Sequence, residues 1–178
     1  MLDEKRIKEA ELNVRQYLAK GLLKKQKNET AKNVYIENSE ISLETAQKLL
    51  SLESETYKPY LWVIVSSYYS MYYIANAVLI NLGYKVGQKI SHKITSDALI
   101  IFARNKLKKG LIEGYEDVKE DALELISSKT DSLLESLDFE REKRSKFQYG
   151  TDEQVKKSKA LTSLERAKTF VFEMKKLL

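Results

Sequence analysis

Tyr60–Tyr84, YLWVIVSSYYSMYYIANAVLINLGY, contains no charged residue, and the reading of this stretch decides the fold. A run of this length can cross a bilayer. It carries Ser66, Ser67, Ser70 and Asn76 near its centre, however, and Tyr68, Tyr69, Tyr72 and Tyr73 sit at a depth where spans seldom place tyrosine, which prefers the interfaces. A helix that is apolar on every side is also what the middle of a soluble bundle looks like. The stretch therefore reads as a core helix, opened by Pro59 and closed by Gly83, and no membrane partner is expected. Buried phenols need hydrogen-bond partners, found either inside the bundle or across a helix-packed dimer interface.

Outward from this helix the pattern stays helical. Glycine is counted at 6 and proline at 1, which leaves few turn points, and no stretch alternates polar and apolar residues as a half-buried strand would. The spacing predicts an all-α, up-and-down helical bundle of five to six helices. The first covers Asp3 to Lys24, with Ile7, Ala10, Val14, Leu18 and Leu22 on one face. The second covers Ala31 to Leu52 through Ile36, Leu43, Ala46 and Leu50. Ser91 caps a fourth that runs through Ile94, Ala98, Ile101 and Phe102 to near Gly110. A fifth runs from Tyr115 through Val118, Ala122, Leu133 and Leu137 to Phe147, with Gly150 as its stop. Thr151 and Gln154 have the form of a capping box, opening a sixth helix with Ala160, Leu164, Ala167, Val171, Met174 and Leu178 on its inner stripe.

Composition narrows the function classes. At 178 residues, with 43% apolar and 32% charged residues, the chain suits a single globular domain rather than a disordered segment. Cysteine is absent, which excludes disulfides, thiolate catalysis and cysteine-ligated zinc. The single histidine, His92, argues against a dedicated zinc site, so no metal and no cofactor are expected. The first thirty residues mix Lys and Glu without an apolar core, so a cytoplasmic location is expected. The net charge of +5 is compatible with nucleic acid without demanding it.

Two segments carry a family pattern. Ser67-Tyr68-Tyr69-Ser70-Met71-Tyr72-Tyr73 leads through Ala75, Ala77, Leu79 and Leu82 to Gly83-Tyr84, and Ser91-His92-Lys93 opens the next helix. Late in the chain, Arg144-Ser145-Lys146-Phe147-Gln148-Tyr149-Gly150 places a tyrosine five positions after an arginine. In this order and spacing the two segments resemble the HEPN family. The likeness covers residues 31–178, so the chain is expected to be one helical domain in which residues 1–28 form an extra N-terminal helix. The resemblance implies a bundle that dimerises. It also implies either a metal-independent ribonuclease or the partner of a small nucleotidyltransferase in a toxin–antitoxin pair.

The nuclease members follow the motif arginine with a histidine, and this chain supplies Tyr149 instead. Metal-free RNA cleavage must deprotonate the 2'-hydroxyl, stabilise the charged phosphorus centre and protonate the leaving oxygen. Arg144 suits the second task, since its guanidinium presents a planar fork of donors to phosphate oxygens. Tyr149 is a poor base, because a phenol is ionised to only about one part in a thousand at neutral pH; it remains a candidate proton donor, or an acceptor of a nucleotidyl group from a partner enzyme. His92 titrates in the right range, but it belongs to another helix. The reading is thus an enzyme only if Arg144, Tyr149 and His92 converge, and the balance leans to a noncatalytic dimeric module. Such a module binds nucleotide, RNA or a nucleotidyltransferase through Arg141, Arg144, Lys146, Tyr149, Tyr69 and Tyr73. Each residue has a plainer reading. Arg144 shares a helical stripe with Leu133 and Leu137 and can pair with Asp97 or Glu140; Tyr149 can anchor a helix end; His92 can be a hydrogen-bonded structural histidine; the basic run can be solvated surface. A purely structural helical dimer is the remaining alternative.

Overall fold

The computed structural model describes residues 3–138 and 153–178. Among them are helices α1 (Glu4–Ala19), α2 (Glu29–Ser51), α3 (Tyr60–Asn81), α4 (Ser91–Phe102), α5 (Leu111–Asp138) and α6 (Glu153–Lys175), with two short strands, β1 (Leu23–Lys25) and β2 (Tyr84–Val86).

Contacts at the helix ends fix the bundle topology. Lys32 of α2 donates to Asn81 at the end of α3 at 3.4 Å, while Tyr60 at the start of α3 donates to Glu53 just beyond α2 at 2.6 Å. These two helices are therefore antiparallel. Lys157 near the start of α6 meets the same Glu53 at 2.7 Å, and Asn81 donates to the Leu177 carbonyl at 2.9 Å, so α6 runs alongside α3 in its direction. The α5 residue Tyr115 stacks on Phe170 of α6 at 5.4 Å, and α5 returns the chain antiparallel to α3. The result is the up-and-down bundle that the periodicity predicts, with α3 at its centre.

Central placement explains the composition of α3. It is the one described helix long and apolar enough to cross a membrane, and 83% of its most apolar window is buried within the protein. Several of its polar groups find partners in the interior, although the Ser67 hydroxyl has none among the described residues: Ser39 Oγ donates to the Ser70 carbonyl and Ser70 Oγ to the Ser67 carbonyl, both at 2.7 Å. Asn76 Nδ2 donates to the Tyr72 carbonyl at 2.8 Å and reaches Thr95 of α4 at 3.2 Å. The apolar run is thus accounted for by α2, α4, α5 and α6 packing around it.

Several boundaries differ from the sequence reading. The first helix stops at Ala19 instead of Lys24, because Gly21 takes a left-handed φ of 66° and the Leu22 amide bonds back to the Tyr17 carbonyl at 2.9 Å, the pattern that terminates a helix. The released residues form β1, which pairs antiparallel with β2 in the register Leu23 with Val86 and Lys25 with Tyr84. Three-residue strands are too short to show an alternating pattern, so the all-helical reading passed over them. Gly87 completes this clip: its amide donates to the Leu22 carbonyl at 2.8 Å, and a Cβ there would stand 2.9 Å from that same oxygen. Ser91 is the first residue of α4 rather than its cap; exposed Ile90 occupies the cap position at φ 46° with no side-chain bond. That helix ends at Phe102, and Gly110, read as its stop, instead opens α5, accepting the Gly114 amide at 2.9 Å. The predicted end of the fifth helix and the Thr151 cap lie outside the described residues.

The N-terminal helix is fastened by charge as much as by apolar contact. Asp3 caps α1 through the Arg6 amide at 2.7 Å, and the helix buries Ala10, Val14 and Tyr17. Asp97 of α4, fully buried, accepts Asn13 Nδ2 at 3.0 Å and the Tyr17 hydroxyl at 2.9 Å and forms an ion pair with Arg6 Nη1 at 2.7 Å, all from α1. Arg6 also reaches Glu116 of α5 at 2.8 Å. Removing one member of a buried ion pair strands its partners. Asp97→Ala is therefore expected to lower the unfolding free energy by about 3 kcal/mol in urea denaturation, and Arg6→Met with Asp97→Leu to recover only part of that loss, since Asn13 and Tyr17 still lose their acceptor. A cost under about 1 kcal/mol for Asp97→Ala would show that α1 docks without this contact.

Candidate functional site

Apart from Leu61 and Asn81 at its ends, the positions of α3 that escape full burial are Trp62, Ser66, Tyr69 and Tyr73. Their spacing sets them along one line of the helix, so the core helix reaches the surface by a single edge, and that edge is aromatic. Trp62 is 59% exposed. Tyr73 stacks on Tyr35 of α2 at 6.1 Å, and Tyr69 lies 5.8 Å from Tyr73.

The opposite flank of this edge is His92, in the first turn of α4. Its ring packs 4.6 Å from Tyr72, 5.5 Å from Tyr68 and, edge-on, 6.1 Å from Tyr69. Its Nδ1 lies 2.5 Å from the Tyr68 hydroxyl. Burial pushes the Tyr68 phenol well above its ordinary pKa, so this hydroxyl keeps its proton, and it shares one hydrogen bond with Nδ1 whose direction follows the histidine tautomer. The imidazole pKa is lowered, chiefly by burial and further by the positive charge of Lys119. Both effects favour the neutral ring over the imidazolium.

Beneath this ring the polar groups are held tightly. Tyr115 of α5 is sealed in the core with its hydroxyl beside that of Tyr68 and without a well-formed hydrogen bond, and burial drives its pKa upward. Lys119 Nζ donates to Ser96 Oγ at 2.9 Å, and Ser96 reaches Glu116 at 3.3 Å. Burial lowers the pKa of Lys119, with Glu116 offsetting part of that effect. Burial also works against the charge on Arg6, but its bonds to Glu116 and Asp97 more than compensate and leave its pKa raised. Asp97, one of the carboxylates available to Arg144 on the sequence reading, thus holds Arg6.

Of the residues singled out from sequence, the structure brings Tyr69, Tyr73 and His92 onto one surface. Arg141, Arg144, Lys146 and Tyr149 lie outside the described residues. Trp62, Tyr35, Lys119 and Ser96 were not singled out. Trp62 was findable, since it precedes Tyr69 by two helical turns, whereas Tyr35, Lys119 and Ser96 come from other helices and only packing brings them here. Among the described residues, no group of three or more His, Cys, Asp or Glu side chains is placed to hold a metal ion.

The family model described as HEPN domain matches residues 33–177 of the chain. No curated protein and no solved structure shows a significant match.

The chain has a single histidine, so its imidazole signals are unambiguous in NMR. The His92 titration midpoint is expected below the ordinary value of about 6.5. Because the folded pKa is depressed, the unfolded chain binds the proton more readily; stability is full above about pH 6.5 and declines as pH falls from there through the folded midpoint. A midpoint at or above the ordinary value would contradict the neutral, Tyr68-bound ring.

Proposed function

The chain belongs to the HEPN family, and from that membership we propose that it is a noncatalytic module binding RNA or nucleotide on the aromatic edge of α3. Family membership supports a nucleotide- or RNA-related role. The observation that carries the narrower reading is the edge itself: Trp62, Tyr69 and Tyr73 line one side of a core helix, with Tyr35 stacked beside them. Nucleobases stack on such side chains irrespective of sequence, at about 1–3 kcal/mol per base. The state of His92 favours binding over catalysis, because its Nδ1 is engaged by Tyr68 and its pKa is lowered. With tyrosine in place of the motif histidine after Arg144, the proton acceptor that metal-free cleavage needs is missing at that position. In this reading Arg141, Arg144 and Lys146 add phosphate contacts beside Tyr149. The module acts in the cytoplasm as a homodimer, with a nucleotidyltransferase as its protein partner in a toxin–antitoxin pair.

The test is binding of a labelled single-stranded RNA to purified protein at two salt concentrations, with the same samples assayed for cleavage in EDTA and light scattering giving the mass. Tyr69→Ala and Arg144→Ala are each expected to weaken binding about tenfold, the latter with a shallower salt dependence. The RNA should remain intact, and the mass should be that of a dimer. Cleavage abolished by Arg144→Ala would replace this reading with a ribonuclease. Absence of RNA and nucleotide binding at low salt would leave the protein partner as the module's only ligand.

A further inference from the structure

The turn from α4 into α5, Arg104-Asn105-Lys106-Leu107-Lys108-Lys109-Gly110, carries four basic residues and belongs to neither the motif segments nor the aromatic edge. Beside it opens a cleft of about 310 Å³ lined by Arg104, Lys108, Lys109 and Gly110 and by the apolar Ile7 and Ile112; Glu113 is the carboxylate in its lining.

The cations around this cleft are under-neutralised. Lys108 and Lys176 share one carboxylate, Glu173, at 2.7 and 2.9 Å. Lys106 and Lys109 are exposed and form no ion pair among the described residues. Arg104 is the most telling. Its Nε reaches only Asn105 Oδ1, at 3.4 Å, and its Nη1 is enclosed without a hydrogen-bond partner among the described residues. An enclosed guanidinium nitrogen lacking an acceptor is costly and rare, because charged donors lose the most when taken from water unpaired. Nη1 itself is closed off from the cleft, so an anion seated there would meet the remainder of the Arg104 side chain, which lines the cleft together with Lys108 and Lys109. Arginine is suited to a phosphate, whose oxygens match the spacing of its donors.

We propose that this cleft binds the phosphate of a nucleotide unit, with Arg104 and Lys109 on its oxygens and Ile7 and Ile112 against the sugar or base. The volume is near the lower limit of small-ligand pockets, which suits one unit rather than a large cofactor. Ile7 belongs to α1, so the helix that lies outside the family match contributes a wall of the site. The inference rests on the nucleotide- or RNA-binding reading above and adds a second place of contact, at the turn into α5.

The phosphate has two possible sources, a free nucleotide or a unit within an RNA chain, and two ligands separate them. AMP is titrated by calorimetry, and a labelled single-stranded RNA by fluorescence anisotropy at two salt concentrations. The proteins are the wild type, Arg104→Ala with Lys109→Ala, Lys109→Glu alone, and Tyr69→Ala. The double variant is expected to bind at least about tenfold more weakly, and for RNA its salt slope should be shallower by about two. Lys109→Glu, at an exposed position, gives the same direction of effect should loss of Arg104 disturb folding. Weakened AMP binding identifies the free nucleotide; an effect on RNA with no AMP binding identifies the backbone unit; either supports the proposal. Wild-type RNA binding that falls in Tyr69→Ala but stays within twofold in the double variant and in Lys109→Glu overturns the cleft alone. Wild-type protein that binds neither ligand overturns the cleft together with the reading beneath it.

Discussion

Burial of α3 on all but one edge is the constraint to which the rest of the protein answers. Such burial removes water from most of the side chains α3 carries, so its polar groups call for partners from within the helix or from a neighbour. That requirement selects the neighbours. Ser39 on α2 is buried against the Ser70 carbonyl, Thr95 on α4 answers Asn76, and His92 on α4 answers Tyr68. An apolar surface alone would let α2 or α4 slide along α3 with modest penalty. These bonds fix the register, because displacement by one turn leaves buried donors and acceptors unmatched.

The same constraint determines what His92 can do. Its neighbours at close range are the rings of Tyr68, Tyr69 and Tyr72 and the cation Lys119. Glu116 and Asp97, the carboxylates of the adjoining network, are taken up by Arg6, with Glu116 also receiving Ser96. A histidine that served as a base would be steadied by a carboxylate, which favours the imidazolium. Here the surroundings favour the neutral ring. The polar network between α4 and α5 and the aromatic packing on α3 therefore act in the same direction, and both draw the histidine into architecture.

How much of this was legible in the sequence depends on whether the signal was periodic or positional. The central helix was plain, since a charge-free run bounded by Pro59 and Gly83 admits few readings, and the inner stripe of α6 from Ala160 to Met174 followed from spacing alone. Glycine was the weak point. Gly21, inside the first predicted helix, ends it, and Gly110, taken for a stop, begins α5. The residue type announces a left-handed backbone without saying which side of it the helix lies. The Asp97 cluster was invisible for a different reason. Arg6, Asn13 and Tyr17 share a face of α1, but their common acceptor lies some eighty residues away, and no local pattern encodes it. Of the candidate site, the tyrosines and His92 were readable from the motif, while their contact with Tyr35 and Lys119 required the fold.

The family match begins at residue 33, yet α1 is not a loose appendage. A carboxylate enclosed on α4 is tolerable only while Arg6, Asn13 and Tyr17 cover it. Residues inside the matched span thus presuppose residues outside it. The β1–β2 clip reinforces the dependence, tying the chain after α1 to the turn that leads from α3 into α4. With the middle of α4 anchored through Asp97 and its entry set by the clip, His92 is fixed against Tyr68 and Tyr72 from two directions. The N-terminal segment is in this sense part of the site's support: it holds the helix that forms one flank of the aromatic edge.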